Sequence, residues 1–203
     1  MDFKRVLENV TLANQLTFLR LVAVPFFILS ILGARFGLAL ILFVGAALTD
    51  LLDGLTARMF QQRTPLGAYL DPAADKLLMT AAFVLLTDYP NMFHEISMWN
   101  RLPLPLTILA ISRNVFIVSV ALMIYLAYGA TRFKPTIWGK LTTLSEILTV
   151  SVFLLFNWLE RWHLVLDVAV WVTLSLIFVS GFNYIWRTVR GLREGAPSSS
   201  HGG

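Results

Sequence analysis

Apolar residues dominate this chain in long, barely interrupted runs, and the polar residues gather between them. A helix that crosses a bilayer needs about 20 mostly apolar residues. Six windows meet that need, at roughly 16–34, 38–60, 66–87, 101–128, 138–159 and 165–187. They predict an all-α fold: an integral membrane bundle of six transmembrane helices. Ahead of them, residues 2–12 place Phe3, Val6, Leu7 and Val10 on one helical side, the pattern of a short N-terminal interfacial helix. The bundle is read as one domain over 1–190, followed by a flexible tail over 191–203 that ends GAPSSSHGG.

Composition agrees. The 203 residues are 57% hydrophobic and only 14% charged, and the mean hydropathy is +0.72. Soluble domains carry about a quarter charged residues, so this chain has little polar surface to offer water. There is no cysteine, which excludes disulfides and thiolate metal sites. No small-residue cleavage site follows the first apolar run, so no removable signal peptide is expected.

The net charge is +4. Its placement argues for topology and anionic headgroups rather than nucleic acid. Lys4, Arg5, Arg63, Arg132, Lys134, Arg187, Arg190 and Arg193 fall on one side of the expected bundle, against Arg35, Arg101 and Arg161 on the other. The positive-inside rule then puts both termini in the cytoplasm, in a bacterial inner membrane. Five of the six tryptophans lie at expected helix ends, as an aromatic belt does.

Against this background four acids stand out: Asp50 and Asp53 in the second apolar run, Asp71 and Asp75 in the third. An ionised carboxylate in hydrocarbon is costly, and intramembrane acids mark ion or substrate sites. Four of them repel one another, and hard divalent cations such as Mg²⁺ or Mn²⁺ relieve that repulsion through oxygen ligands. Counted from the Gln61–Pro65 loop, Asp53 and Asp50 lie about 10 and 15 Å into their helix, and Asp71 and Asp75 about 8 and 14 Å into theirs. Asp50, Asp53, Gly54 and Ala57 follow i, i+3, i+4, i+7, and Gly67, Asp71 and Asp75 follow i, i+4, i+8. The two acidic faces therefore sit at matching depth, with small residues clearing room for a bulky ligand. Arg58 lies nearby as a phosphate partner. Salt bridges to Lys76, Arg58 and Arg113 offer a purely structural account, but three cations spread over two helices serve four acids poorly.

The segment Asp50-Leu-Leu-Asp53-Gly54-Leu-Thr-Ala57-Arg58, eight residues, then Gly67-Ala-Tyr-Leu-Asp71-Pro-Ala-Ala-Asp75 resembles the complete signature of the CDP-alcohol phosphotransferase family, DxxDGxxAR…GxxxDxxxD. The resemblance implies six transmembrane helices, two divalent metal ions and a CDP-linked lipid donor. It implies that Asp50, Asp53, Asp71 and Asp75 bind metal, that Asp75 is the general base, and that Asp53, Gly54, Ala57, Arg58 and Gly67 meet CDP-diacylglycerol. A homodimer is a family expectation only.

For the acceptor, three more stretches bear on the choice. Asn14–Arg20 resembles the N-terminal segment of phosphatidylglycerophosphate and cardiolipin synthases, while Leu104–Asn114 and Arg132–Thr143 resemble stretches of cardiolipin synthases. Phosphatidylglycerophosphate synthases carry an Arg-Glu pair where this chain has Arg113-Asn114, and cardiolipin synthases carry Asp at 114. The resemblance favours phosphatidylglycerol, an anionic phospholipid, as acceptor, with cardiolipin as product and glycerol-3-phosphate as the alternative acceptor. Arg113, Lys140, Arg132 and Lys134 are the candidates for the acceptor phosphate. A salt bridge of Arg113 to a site acid or to Glu146 competes with that role, as topology signalling does for Arg132 and Lys134. Lys76 is read as a charge balancer. A divalent-cation transporter is the rival from another class, since acids also line ion pathways.

Overall fold

Among the described residues six α-helices follow one another: α1 Leu12–Leu32, α2 Phe36–Phe60, α3 Pro65–Leu86, α4 Leu104–Tyr128, α5 Ile137–Trp158 and α6 Leu164–Glu194. The structure is a computed structural model that describes residues 12–60, 65–87, 98–128 and 137–194. Within these, side chains are described for 18–49, 76–87, most of 98–119, 137–184 and 186. The expected interfacial helix, apart from Leu12, lies outside the described residues. Among the described residues no strand occurs, only one isolated bridge between Thr87 and Leu102.

Two helices, Ile137–Trp158 and Leu164–Tyr184, are long and apolar enough to cross a membrane; the apolar stretches of the other four, among the described residues, are shorter. The six-helix count therefore agrees with the reading of the sequence, while six membrane spans do not follow from it. Large apolar side chains nonetheless face outward along the described helices: Phe18, Ile41, Leu77, Val115, Leu148, Trp171 and Phe182 are all exposed. Polar side chains such as Thr107, Arg113, Glu146 and Asn157 are buried instead.

Helix ends explain where the elements start and stop. Between α1 and α2 the chain reverses in three residues. Ala34 N–H donates to Ile31 O (2.9 Å) and Arg35 N–H to Ser30 O (2.8 Å), the paired bonds that close a helix around a left-handed residue. That residue is Ala34, with φ 54°, rather than the neighbouring Gly33. The same device ends α5: Glu160 (φ 51°) donates to Asn157 O, and Arg161 to Phe156 O at 3.2 Å. Pro65 opens α3, where its missing N–H costs nothing.

Two ends differ from expectation. α4 begins at Leu104 rather than 101, because Pro103 disfavours helical backbone at Leu102. Leu102 N–H instead donates to Leu86 O at 2.8 Å. α6 runs to Glu194, past both 187 and the tail boundary at 190. Arg187, Arg190 and Arg193 suit the C-terminal end of a helix, and no strong stop precedes Gly195 and Pro197. His163, in the turn before α6, accepts from Val165 N–H at 3.2 Å and stacks on Phe156.

α2 and α3 both pack against α1 and α5, α4 packs against α3 and α6, and α5 pairs with α6. Phe27 and Phe43, with ring centroids 5.8 Å apart, join α1 to α2. Phe83, Leu86, Leu106 and Leu154 fill the space between α3, α4 and α5. Hydroxyls, not apolar contact alone, fasten α5 to α6. Thr149 Oγ1 and Thr173 Oγ1 lie 2.8 Å apart, Ser145 Oγ and Thr173 Oγ1 2.5 Å, and Thr142 Oγ1 donates to Leu176 O at 3.1 Å. Small hydroxyl residues let helices approach closely and bond across a membrane-type interface.

Candidate functional site

The acidic segment falls on helical backbone at every motif position. α2 is continuous through Asp50, Asp53, Gly54, Ala57 and Arg58, and α3 through Gly67, Asp71 and Asp75. The i, i+3 and i, i+4 spacings are therefore those of a helix, as the sequence reading requires. The side chains of these eight residues lie outside the described residues, as do Arg132 and Lys134 entirely. Among the described residues no group of three or more His, Cys, Asp or Glu side chains gathers.

One residue beyond Asp75 the description resumes, and it opens onto a buried polar cluster. Lys76 Nζ donates to Asn114 Oδ1 at 3.2 Å, bridging α3 and α4. The same oxygen accepts from Arg113 Nη1 at 3.4 Å. Arg113 Nη1 also meets Glu146 Oε1 at 3.5 Å. Its Nη2 donates to Gly139 O at 3.3 Å and to Ser180 Oγ at 3.2 Å. Partners from α4, α5 and α6 thus converge on one guanidinium, and α3 joins them through Lys76 and Asn114.

Burial makes this cluster consequential. Arg113 is 8% exposed and Glu146 0%. A buried charge without a partner is very costly, so each of the two needs the other. The salt bridge weighed against a phosphate role for Arg113 is present, and of the acids considered for it the partner is Glu146. The geometry is loose: every contact of Arg113 is 3.2 Å or longer, and its Nε has no hydrogen-bond partner. Lys140 lies beside Gly139 in sequence but is exposed and is not part of the cluster. Lys76, read from the sequence as a charge balancer, is tied to α4 by Asn114.

Arg20 departs from expectation. Its sequence position suggests an interface or the cytoplasmic opening, yet it is 3% exposed and lines a small void with Phe43, Ala46, Leu78 and Ile147. At the other end of the bundle, Trp99, Arg101, Trp162 and Trp171 line a groove of about 510 Å³. It lies away from the acidic segment, and its rim is the tryptophan belt.

Residues 10–179 match the CDP-alcohol phosphatidyltransferase family. The chain is 32% identical to the CDP-diacylglycerol–glycerol-3-phosphate 3-phosphatidyltransferase of Haemophilus influenzae, over 88% of this chain and 89% of that protein. It is also 32% identical to the human cardiolipin synthase (CMP-forming), over 76% of this chain and 54% of that protein. A probable phosphatidylglycerophosphate synthase of Mycobacterium tuberculosis is 32% identical as well, over 91% and 86% of the two chains. The chain belongs to the CDP-alcohol phosphatidyltransferase family. It is a transferase of phospholipid biosynthesis, as the resemblance implied, and the transporter reading falls away.

Proposed function

We propose that the chain moves the phosphatidyl group of CDP-diacylglycerol onto phosphatidylglycerol, giving cardiolipin and CMP. The acceptor hydroxyl attacks the β-phosphorus, its proton passes to Asp75, and CMP departs. Asp50, Asp53, Asp71 and Asp75 would hold two divalent ions, Mg²⁺ or Mn²⁺, and four carboxylates on two consecutive helices are a donor set suited to such hard cations. When bound, such ions neutralise the diphosphate and stabilise charge on the leaving oxygen. Gly54, Ala57 and Gly67 leave room for the nucleotide, and Arg58 meets donor phosphate.

The observation that supports a phosphate-bearing acceptor is the pair of cations, Lys76 and Arg113, brought to one amide oxygen, with Lys76 next to Asp75 in sequence. The stretches 104–114 and 132–143, with the match to the human enzyme, support phosphatidylglycerol. A second acceptor, glycerol-3-phosphate, is supported by the fuller coverage of the Haemophilus relative. Both carry a phosphate and a free hydroxyl. The apolar outer faces support six spans, and the basic residues at one end support a cytoplasmic active site with both termini on that side.

The test is direct. Purified protein is given CDP-diacylglycerol and Mg²⁺ or Mn²⁺ with each acceptor in turn, and the lipid formed is identified by mass spectrometry. Cardiolipin from phosphatidylglycerol is the expected product. Consumption of glycerol-3-phosphate alone would overturn the acceptor assignment. Chelation should stop turnover and added metal restore it.

A further inference from the structure

The groove at the end of the bundle away from the acidic segment is polar at its mouth and apolar along its length. Arg101, just ahead of α4, and Asp167, in the first turn of α6, stand at the mouth. Leu106, Phe153, Val170 and Leu174 wall the deeper part. From Asp167 to Leu174 the groove follows α6 for about 10 Å at the helical rise. Its volume of about 510 Å³ is in the range of sites that hold a small molecule. A polar mouth at the level of a tryptophan belt, over an apolar channel, has the shape of one phospholipid, with the headgroup at the mouth and an acyl chain below it.

The mouth also selects a headgroup. Three of the six tryptophans, Trp99, Trp162 and Trp171, line this one groove, and they are 63, 61 and 69% exposed. Asp167 lies among them, four residues before Trp171, so the two are neighbours on one helix face. Its side chain is exposed, and it has no hydrogen-bond or ion-pair partner among the described residues. Indole faces attract ammonium groups, as the aromatic cages that hold choline-like cations do. A carboxylate beside them adds charge of the same preference, and it repels a headgroup that is anionic overall. Arg101 does not enter this choice: every phospholipid carries a phosphate, and only the group beyond it differs.

We propose that this groove binds one phospholipid whose headgroup ends in an ammonium, the phosphoethanolamine class, with an acyl chain laid along α6. It is a resident lipid and not a substrate, because the groove lies at the opposite end of the bundle from the acidic segment. Its preference is also the reverse of the one proposed for the acceptor site, which takes an anionic lipid.

The test reads binding rather than turnover, so the fate of the acceptor assignment does not touch it. The full chain, purified and delipidated in detergent, is titrated with dioleoyl-phosphatidylethanolamine or dioleoyl-phosphatidylglycerol, and bound lipids are counted by native mass spectrometry. The parent is compared with Asp167→Asn and Trp171→Leu. Any lipid held near the acidic segment is common to all three proteins, so their differences report the groove. In each variant the affinity for phosphatidylethanolamine should fall about fivefold, the size of an exposed cation–π or charge contact. The affinity for phosphatidylglycerol should stay within twofold.

An affinity for phosphatidylethanolamine within twofold of the parent in Asp167→Asn would overturn the proposal. So would an equal fall for both lipids, which would mean that the groove reads the chain and not the headgroup. Loss of self-association in Trp171→Leu, with lipid binding unchanged, would give the groove to a second copy of the chain and also overturn it. Should the leucine variant fail to fold, the near-isosteric change at the exposed Asp167 carries the test.

Discussion

Two of the buried polar clusters among the described residues are built in opposite ways. At the end formed by the α1–α2 turn, Asn100 and Asn157 clasp each other. Asn100 N–H donates to Asn157 Oδ1 at 3.0 Å, Asn157 Nδ2 donates to Asn100 O at 2.9 Å, and Asn100 Nδ2 donates to Arg161 O at 2.9 Å. Every partner is neutral and every distance is short. Near the acidic segment, the Arg113 cluster is charged, longer in its contacts and incomplete at Nε. A satisfied neutral clasp stabilises and rigidifies. A charged cluster with slack in it is a poor fastener, but it can still bind. The first is a structural fastener, and the second is the cluster on which the proposed acceptor reading rests.

Breaking the acidic segment should have the largest effect. Asp75→Asn is expected to abolish CMP release while CDP-diacylglycerol binding persists, which a radiolabelled filtration assay separates. Loss of binding alone would count against Asp75 as base. Next is Glu146→Gln, which leaves Arg113 buried without its counter-charge. The cost is about 3–5 kcal/mol, visible as a lower thermal midpoint together with reduced turnover. Asn157→Leu should cost less, about 1–3 kcal/mol for the unpaired Asn100 backbone groups, with turnover of the folded fraction unchanged. If Asn157→Leu instead alters acceptor KM, the contrast between the clusters fails. Smallest, and opposite in sign, are Ala34→Gly and Glu160→Gly. Each relieves a left-handed L-residue and should stabilise by about 1 kcal/mol.

The contrast also marks how far a sequence can be read. Apolar runs gave six helices because burial and hydrocarbon impose length and composition locally. The DxxDGxxAR…GxxxDxxxD pattern was legible because chemistry there depends on spacing within two neighbouring helices. Glu146 was legible as one of the acids that Arg113 could meet, but the sequence alone does not choose among them across 33 positions. The Asn100–Asn157 clasp spans 57 positions and carried no such signal. Arg20 misled because a cation near the start of an apolar run resembles an interfacial anchor, whereas packing against α2, α3 and α5 buries it. Lys140 is next to Gly139, whose carbonyl joins the cluster, yet its own side chain is exposed.

The length of α6 has a practical consequence. Its apolar stretch ends at Tyr184, but the helix continues to Glu194, about 15 Å further at the usual rise. A reporter protein fused at the C-terminus would ride on that helical stalk, clear of the bundle. Such a fusion is suited to reading out sidedness in whole cells, and it should leave enzymatic output intact.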